Sequence, residues 1–289
     1  MEQNSVDLAV ATAAIARIAD LLICPRCGAG IQITATGILC ASCGGRYVIH
    51  DGVLLLARLG TSDTWDSGGE GGAPSSHSYQ EQYHDVAEAA EYNAAYKQKL
   101  FKRLSTAREY ELLRRLLQSQ GRCRVILDLP CGGGRLSPQI APFTDLIVEA
   151  DIAEGQVRYG QRNLDLHTPV VWMTASAFHI PFRNAGVDGT VCCRLCHHLP
   201  TAAERERLIK ELLRVSQRFV VMTFFDHRSL KNLLRRVRRP FDHKPPKMTM
   251  TVAELRQLAR ANGATLVACP ALATLSSGHR YALMVKDRS

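Results

Sequence analysis

The chain has 289 residues, 46% of them apolar, and a formal charge of +9, which suits one large core with a smaller module beside it. The positive balance favours an anionic contact, such as RNA, an acidic lipid surface or a phosphorylated or carboxylated small molecule. Ten cysteines, four of them in two Cys-x-x-Cys pairs, read as reduced and cytoplasmic rather than as a disulfide framework. The N-terminus opens with Glu2 and Asp7, and its apolar stretch from Val6 to Ile23 is broken by Arg17 and Asp20, so neither a secretory signal nor a membrane span is expected there.

In chain order, residues 6–22 carry Ala, Leu and Ile at helical intervals, and short β-like runs follow from Cys24 to Leu59. Those runs are too brief to hold a core without a staple. Residues 60–78 turn to Gly, Ser, Asp and Pro, a linker composition that separates a module at 1–59 from a larger domain at 79–289. A helical pattern follows over 79–120, with an apolar stripe of Leu112, Leu113, Leu116 and Leu117. Beyond it, strands are predicted at 124–129, 146–150, 170–174, 187–193, 218–225, 264–269 and 280–286. Helices are predicted near 135–141, 154–164, 201–216 and 251–262. This alternation predicts an α/β, Rossmann-like fold with a seven-stranded, mostly parallel sheet. The last two strands, joined through Ser276, Ser277 and Gly278 with no helix between, are expected to close it as an antiparallel hairpin.

Cys24-Pro25-Arg26-Cys27 and Cys40-Ala41-Ser42-Cys43 enclose a spacer of twelve residues. Two such turns aim four thiolates at one point and close a tetrahedral Zn²⁺ site with no position left for water, so the metal is expected to be structural. Gly28 and Gly44 follow the pairs, where such knuckles need positive φ. The stretch Gly45 to Val53 then resembles the zinc-ribbon proteins that activate tRNA and translation-factor methyltransferases. In that family the ribbon is a separate subunit shielding an apolar face of its partner; the resemblance implies the same shielding here within one chain.

The run Val125 to Arg135 drives an apolar strand into a glycine turn, the device by which open α/β sheets bring backbone against a small ligand. Asp128-Leu129-Pro130-Cys131-Gly132-Gly133-Gly134 resembles the first motif of class I S-adenosylmethionine (SAM) dependent methyltransferases, with Pro130 in place of the first glycine. A second strand ends in Asp151-Ile152, seventeen residues past Gly134, the placement for a ribose ligand and an adenine neighbour. Residues Thr174 to Phe182 are similar to the loop that reaches the adenine, with Ser176 standing where the family has Asp and Ala177 beside it. The strand Val187 to Cys193, then Arg194-Leu195-Cys196-His197-His198-Leu199, is similar to the fourth motif, whose strand end lines the methionine part of the donor. The resemblance therefore implies that Asp128, Pro130, Cys131, Gly132, Gly134, Asp151, Ile152, Ser176, Ala177 and Arg194 bind SAM.

Methyl transfer from a sulfonium proceeds mainly by alignment and desolvation, so no side chain is obligatory. Where the acceptor must lose a proton, His197 and His198 are the candidate bases, against the plainer reading of packing or capping histidines. Cys192, Cys193 and Cys196 fit buried core positions better than thiol chemistry. The basic run from Arg228 to Arg239, with Lys244 and Lys247, reads as a lid over an anionic or membrane-surface acceptor, or as the solvated face of a short helix. These features lead to a methyltransferase acting on a small or lipid-linked, anionic acceptor. Two alternatives stand beside it: an RNA enzyme resembling 23S rRNA guanine-N1 methyltransferases, and a non-catalytic zinc-ribbon scaffold with a vestigial SAM fold.

Overall fold

The computed structural model describes residues 12–34, 37–57, 100–238, 248–273 and 277–287. The 60–78 linker, the 79–99 part of the expected helical region and Lys244 and Lys247 lie outside them, as do residues 6–11 of the expected N-terminal helix. Residues 12–16 are helical, and Ala14, Ile15 and Ile18 from this stretch and the turn after it are buried.

The N-terminal module contributes four short strands, β1 (Gln32–Thr34), β2 (Gly37–Leu39), β3 (Arg46–His50) and β4 (Val53–Leu55), each antiparallel to the next. The larger domain opens with helix α1 (Leu100–Gln118), whose predicted leucine stripe is buried as its spacing requires. Strands β5 (Ile126–Asp128), β6 (Ile147–Asp151), β7 (Val170–Thr174), β8 (Val187–Cys192) and β9 (Ser216–Phe225) follow, interleaved with α2 (Ser137–Ile140), α3 (Glu154–Asn163) and α4 (Ala202–Val215). The chain then adds α5 (Leu230–Arg238), α6 (Val252–Ala261), β10 (Ala264–Ala268) and β11 (His279–Lys286). Both α4 and α6 start on reciprocal capping boxes, Thr201 with Glu204 and Thr251 with Glu254.

The seven strands of the larger domain run β7-β6-β5-β8-β9-β11-β10, parallel except for β11, which is antiparallel to β9 and to β10. The sheet does not stop there. Val53, Leu54 and Leu55 of β4 pair in parallel with Trp172, Met173 and Thr174 of β7, so the module extends the sheet to eleven strands. The difference from the expected seven has a simple cause. β7 would otherwise present an open edge of unpaired backbone groups, and β4 covers it.

Side chains follow the strands. One buried cluster runs from Ile18, Leu22, Tyr47 and Leu54 of the module to Leu127, Val148, Met173 and Phe182 of the domain, so the two share a single core. Backbone hydrogen bonds cross the same boundary: the Ile23 N–H donates to the Pro181 carbonyl at 3.0 Å, and the Arg183 N–H to the Leu21 carbonyl at 2.9 Å. On the other flank of β4, Arg158 of α3 donates to the His50 carbonyl at 3.1 Å.

The cysteine knuckles are near copies. The Gly28 N–H donates to the Cys24 carbonyl and the Gly44 N–H to the Cys40 carbonyl, each at 2.9 Å, with both glycines at positive φ. The four thiols lie within 4.8 Å of one another, with Sγ–Sγ separations of 3.7 Å for Cys24 and Cys43 and 3.5 Å for Cys27 and Cys40. A tetrahedron of thiolates around zinc at about 2.3 Å needs edges of about 3.8 Å. The donor set and spacing thus fit Zn²⁺, and the Tyr47 hydroxyl lies 3.1 Å from the Cys24 sulfur, placed to donate to it.

Because metal binding here is part of folding free energy, Cys27→Ser is expected to lower zinc content and to cost at least about 2 kcal/mol of stability. Hydrogen exchange at the Ile23 and Arg183 amides should accelerate in the same variant, since both bridge the module to the domain. Unchanged exchange there would show that the ribbon holds itself without bracing its neighbour.

Candidate active site

The strand-to-helix turn after β5 is built as its sequence demands. Gly132, Gly133 and Gly134 all have positive φ, at 51°, 84° and 73°, a run that only glycine adopts without strain. The Leu129–Pro130 bond is cis, and the Cys131 N–H donates to the Ala150 carbonyl at 2.8 Å, tying the turn to β6. A Cβ built on Gly134 would collide with Leu164 and Ser137, whereas one built on Gly132 would meet nothing within 4 Å. The turn is therefore packed from behind and faces open space in front, the shape of a backbone cradle.

Beneath it lies a group of acids. Asp128 and Glu149 are register partners on β5 and β6, both fully buried, and neither oxygen of Asp128 has a hydrogen-bond partner. Burial first, then the Glu149 charge, pushes Asp128 well above the usual carboxylate range. Burial likewise raises Glu149 to about 8 against the opposing pull of Ser137 and Cys131. Asp151 closes β6, and its carboxylate accepts from the Gly132 N–H and the Ala153 N–H, each at 3.0 Å. It is fully buried and reaches about 6 because desolvation outweighs those backbone donors. Asp151 thus fixes the glycine turn from below, while Ile152 beside it is half-buried.

Ser176 and Ala177 sit in the loop after β7, half-buried, with the Ser176 Oγ accepting from the Phe178 N–H at 3.3 Å. The same loop ends at Pro181 and Phe182, where the ribbon is attached.

At the end of β8, Arg194 turns at φ 67° and gives its N–H to the Thr223 Oγ1 at 2.7 Å. Its guanidinium goes to Glu109 of α1, donating from Nη2 at 3.0 Å and from Nε at 3.2 Å. Arg135 donates to the same carboxylate at 2.6 Å, and the Tyr281 hydroxyl of β11 donates to it as well. Burial alone would raise Glu109, but the two guanidiniums outweigh it and hold the carboxyl near 2. Sequence reading missed this hub, because Glu109 is an ordinary helical acid until α1 is laid across the end of the sheet.

His197 and His198 follow on a short turn. The His197 ring lies 4.2 Å from that of His198, 4.5 Å from that of Phe225 and 5.4 Å from that of His279, with Phe225 and His279 at 4.1 Å. Phe225 and His279 face each other across β9 and β11. His279 also lines a cavity of 260 Å³ together with Arg228, Ser229, Leu230, Ser277 and Arg280. Asp226 anchors that wall, accepting from the Arg280 Nε at 2.6 Å and the Arg228 N–H at 2.9 Å. His279 escaped sequence reading because it is the pairing of β11 with β9 that sets it beside Phe225 and so near His197. Cys192, Cys193 and Cys196 are buried, and burial pushes all three thiols up, Cys196 to about 12, which leaves them as core residues.

Residues 126–218 match the family described as a methyltransferase domain. Among solved structures the chain is similar to the magnesium protoporphyrin IX methyltransferase of Synechocystis PCC 6803 with bound S-adenosylhomocysteine (16% identity, TM-score 0.60, 72% of this chain and 98% of that one). It is also similar to a chain of the complex between the Haloferax volcanii Trm112 methyltransferase activator and a methyltransferase (12%, 0.52, 70% and 97%). A third is the [4+2]-cyclase SpnF (14%, 0.56, 75% and 98%). At these identities the likeness is one of fold. The comparison with curated proteins finds no match. Family match, glycine cradle and strand order agree on a SAM-dependent methyltransferase domain.

The buried acids carry a pH signature. Asp151 and Glu149 hold protons more tightly folded than unfolded, so their contribution to stability is complete below the ordinary carboxylate pKa of about 4. It is lost as pH rises through about 6 and then about 8. Wild type and Glu149→Gln are both expected to lose Tm as pH passes about 6, where Asp151 titrates, but from there through about 8 the variant should decline less than the wild type; parallel profiles in scanning calorimetry would refute the buried-acid account.

Glu109 has the opposite sign, contributing above the ordinary carboxylate pKa and losing its effect only as pH falls through about 2. Glu109→Gln leaves two guanidiniums without their counter-charge and should cost about 3 kcal/mol in urea unfolding.

Proposed function

We propose that this SAM-dependent methyltransferase delivers its methyl group to a small or lipid-linked anionic acceptor that enters through the cavity where β9 ends, α5 starts and β11 begins. The observation that carries the reading is the lining of that cavity: two guanidiniums, Arg228 and Arg280, two hydroxyls, Ser229 and Ser277, and His279 in ring contact with His197. Arg280 is paired with Asp226, so among the described lining residues the exposed Arg228 is the cation placed to meet an acceptor's charge.

SAM supplies a methyl group on a sulfonium, already activated, which requires in-line approach and exclusion of water. The Gly132–Gly134 backbone, with Asp128, Pro130 and Cys131 shaping the turn, would hold the donor. Ile152, Ser176 and Ala177 would flank its base. Asp151 keeps two lone pairs beyond those given to Gly132 and Ala153, and these would accept the ribose hydroxyls. Arg194 would line the methionine end through its backbone, its guanidinium being committed to Glu109. The His197, Phe225 and His279 rings, with His198 against His197, would wall the way from cavity to donor, and a histidine of this cluster would take the acceptor's proton.

The test begins with S-adenosylhomocysteine binding by calorimetry to the zinc-loaded chain. Affinity should fall as pH drops through about 6, because a protonated Asp151 accepts less well, and Asp151→Asn should lose both affinity and that inflection. In methyl-transfer assays over carboxylated and phosphorylated small molecules, Arg228→Ala should raise KM about tenfold with little change in kcat. His279→Ala should lower kcat. Salt-steep affinity for rRNA fragments together with methyl incorporation would transfer the reading to RNA. Tight cofactor binding with no transfer to any class would leave the scaffold.

A further inference from the structure

Helix α5 is amphipathic in the wrong sense for a packing helix. Its Asn232 is buried and donates from Nδ2 to the Asp226 carbonyl at 2.8 Å, so this polar residue marks the face turned to the protein. Leu230, Leu233 and Leu234 are the exposed ones, at 43%, 47% and 46%. With 3.6 residues per turn, the centre of the Leu230, Leu233 and Leu234 stripe lies roughly 150° around the helix from Asn232. The apolar stripe therefore faces outward.

Charge supplies the second observation. Between Arg228 and Arg238 the sequence carries Arg228, Lys231, Arg235, Arg236 and Arg238 and no acid. An outward-facing leucine stripe on a basic segment without acids is the pattern that lies in the interface of an anionic bilayer, where tails take the leucines and headgroups the cations. RNA would satisfy the charges but leave the leucines in water, and these residues include no aromatic side chain to stack on bases. Position is the third observation, since Arg228, Ser229 and Leu230 form the rim of the acceptor cavity.

We propose that α5 seats this protein on an anionic lipid surface, with the mouth of the 260 Å³ cavity opening at the headgroup level. The inference rests on the acceptor reading above only for what the surface delivers; the docking itself needs no cofactor. It narrows the acceptor to one presented by a membrane, such as the polar head of a lipid or a lipid-linked carrier. Each basic residue near such a surface multiplies partition by about fivefold, so attachment is reversible and salt-sensitive.

Co-sedimentation of the full zinc-loaded chain with vesicles tests it. Vesicles about one-third phosphatidylglycerol should bind at least about tenfold better than pure phosphatidylcholine, and the difference should shrink as salt is raised. The double variant Leu233→Gln, Leu234→Gln alters only exposed positions away from the cavity, and should lose about tenfold in partition while keeping wild-type affinity for S-adenosylhomocysteine. Lys231→Glu should abolish most of the preference for phosphatidylglycerol. Equal partition of wild type and double variant would overturn the proposal. So would a wild-type dimer in sedimentation velocity that the double variant dissolves, which would make the stripe a contact between copies. Loss of S-adenosylhomocysteine binding by the wild type would strike at the methyltransferase reading and leave the vesicle result standing on its own.

Discussion

The parallel pairing of β4 with β7 is the contact on which the arrangement depends. β7 is the edge of the seven-stranded sheet, and the loop that leaves it is the one carrying Ser176 and Ala177. An edge strand with one free side would leave that loop braced from the α4 side, where the Ile180 N–H donates to Glu211 and Arg214 donates to the Ile180 and Phe182 carbonyls, and open on the other. With β4 in place, the Ala57 N–H takes the Thr174 carbonyl at 3.0 Å, and three residues of backbone on each strand are locked into register. The metal knuckles act one step further out. Too small to bury a core of its own, the ribbon depends on four thiols for its shape, and through β3 and β4 that shape sets the edge of the cofactor domain.

At the carboxyl ends of the central strands Glu109 performs a comparable task by charge. It draws Arg135 from the glycine turn, Arg194 from the end of β8 and Tyr281 from β11 onto one helix. The glycine turn, the end of β8 and strand β11 are thereby referred to a single buried carboxylate. The buried Asp128 and Glu149 pair works differently, since like charges side by side in a dry site favour protons over ionisation. One site thus contains a carboxyl held strongly acidic and a pair held protonated, the difference lying in whether guanidiniums bond the carboxyl directly.

The fold was legible in the sequence because hydrophobic periodicity and turn chemistry are local. All seven predicted strands of the larger domain form within a few residues of expectation, as does the closing antiparallel pair of β10 and β11. What sequence did not show is long-range. The union of ribbon and sheet depends on which strand edge is left open, and nothing near Val53 announces a partner over a hundred residues away. His279 and Glu109 were invisible for the same reason, each reaching the site only through register or helix docking. Asp151 illustrates an intermediate case. Its position was evident, whereas its grip on the Gly132 and Ala153 amides required the turn to be built.

Carrying the ribbon on the same chain as the catalytic domain has a consequence for regulation. A bracing element supplied as a separate subunit is lost on dilution and is shared among competing clients according to their affinities. One tethered to its site instead works at an effective concentration on the order of millimolar, whatever the cellular level of the protein. Zinc supply then becomes the remaining external control on that brace, so scarcity of the metal, rather than scarcity of a companion protein, would decide how many molecules are fit to work.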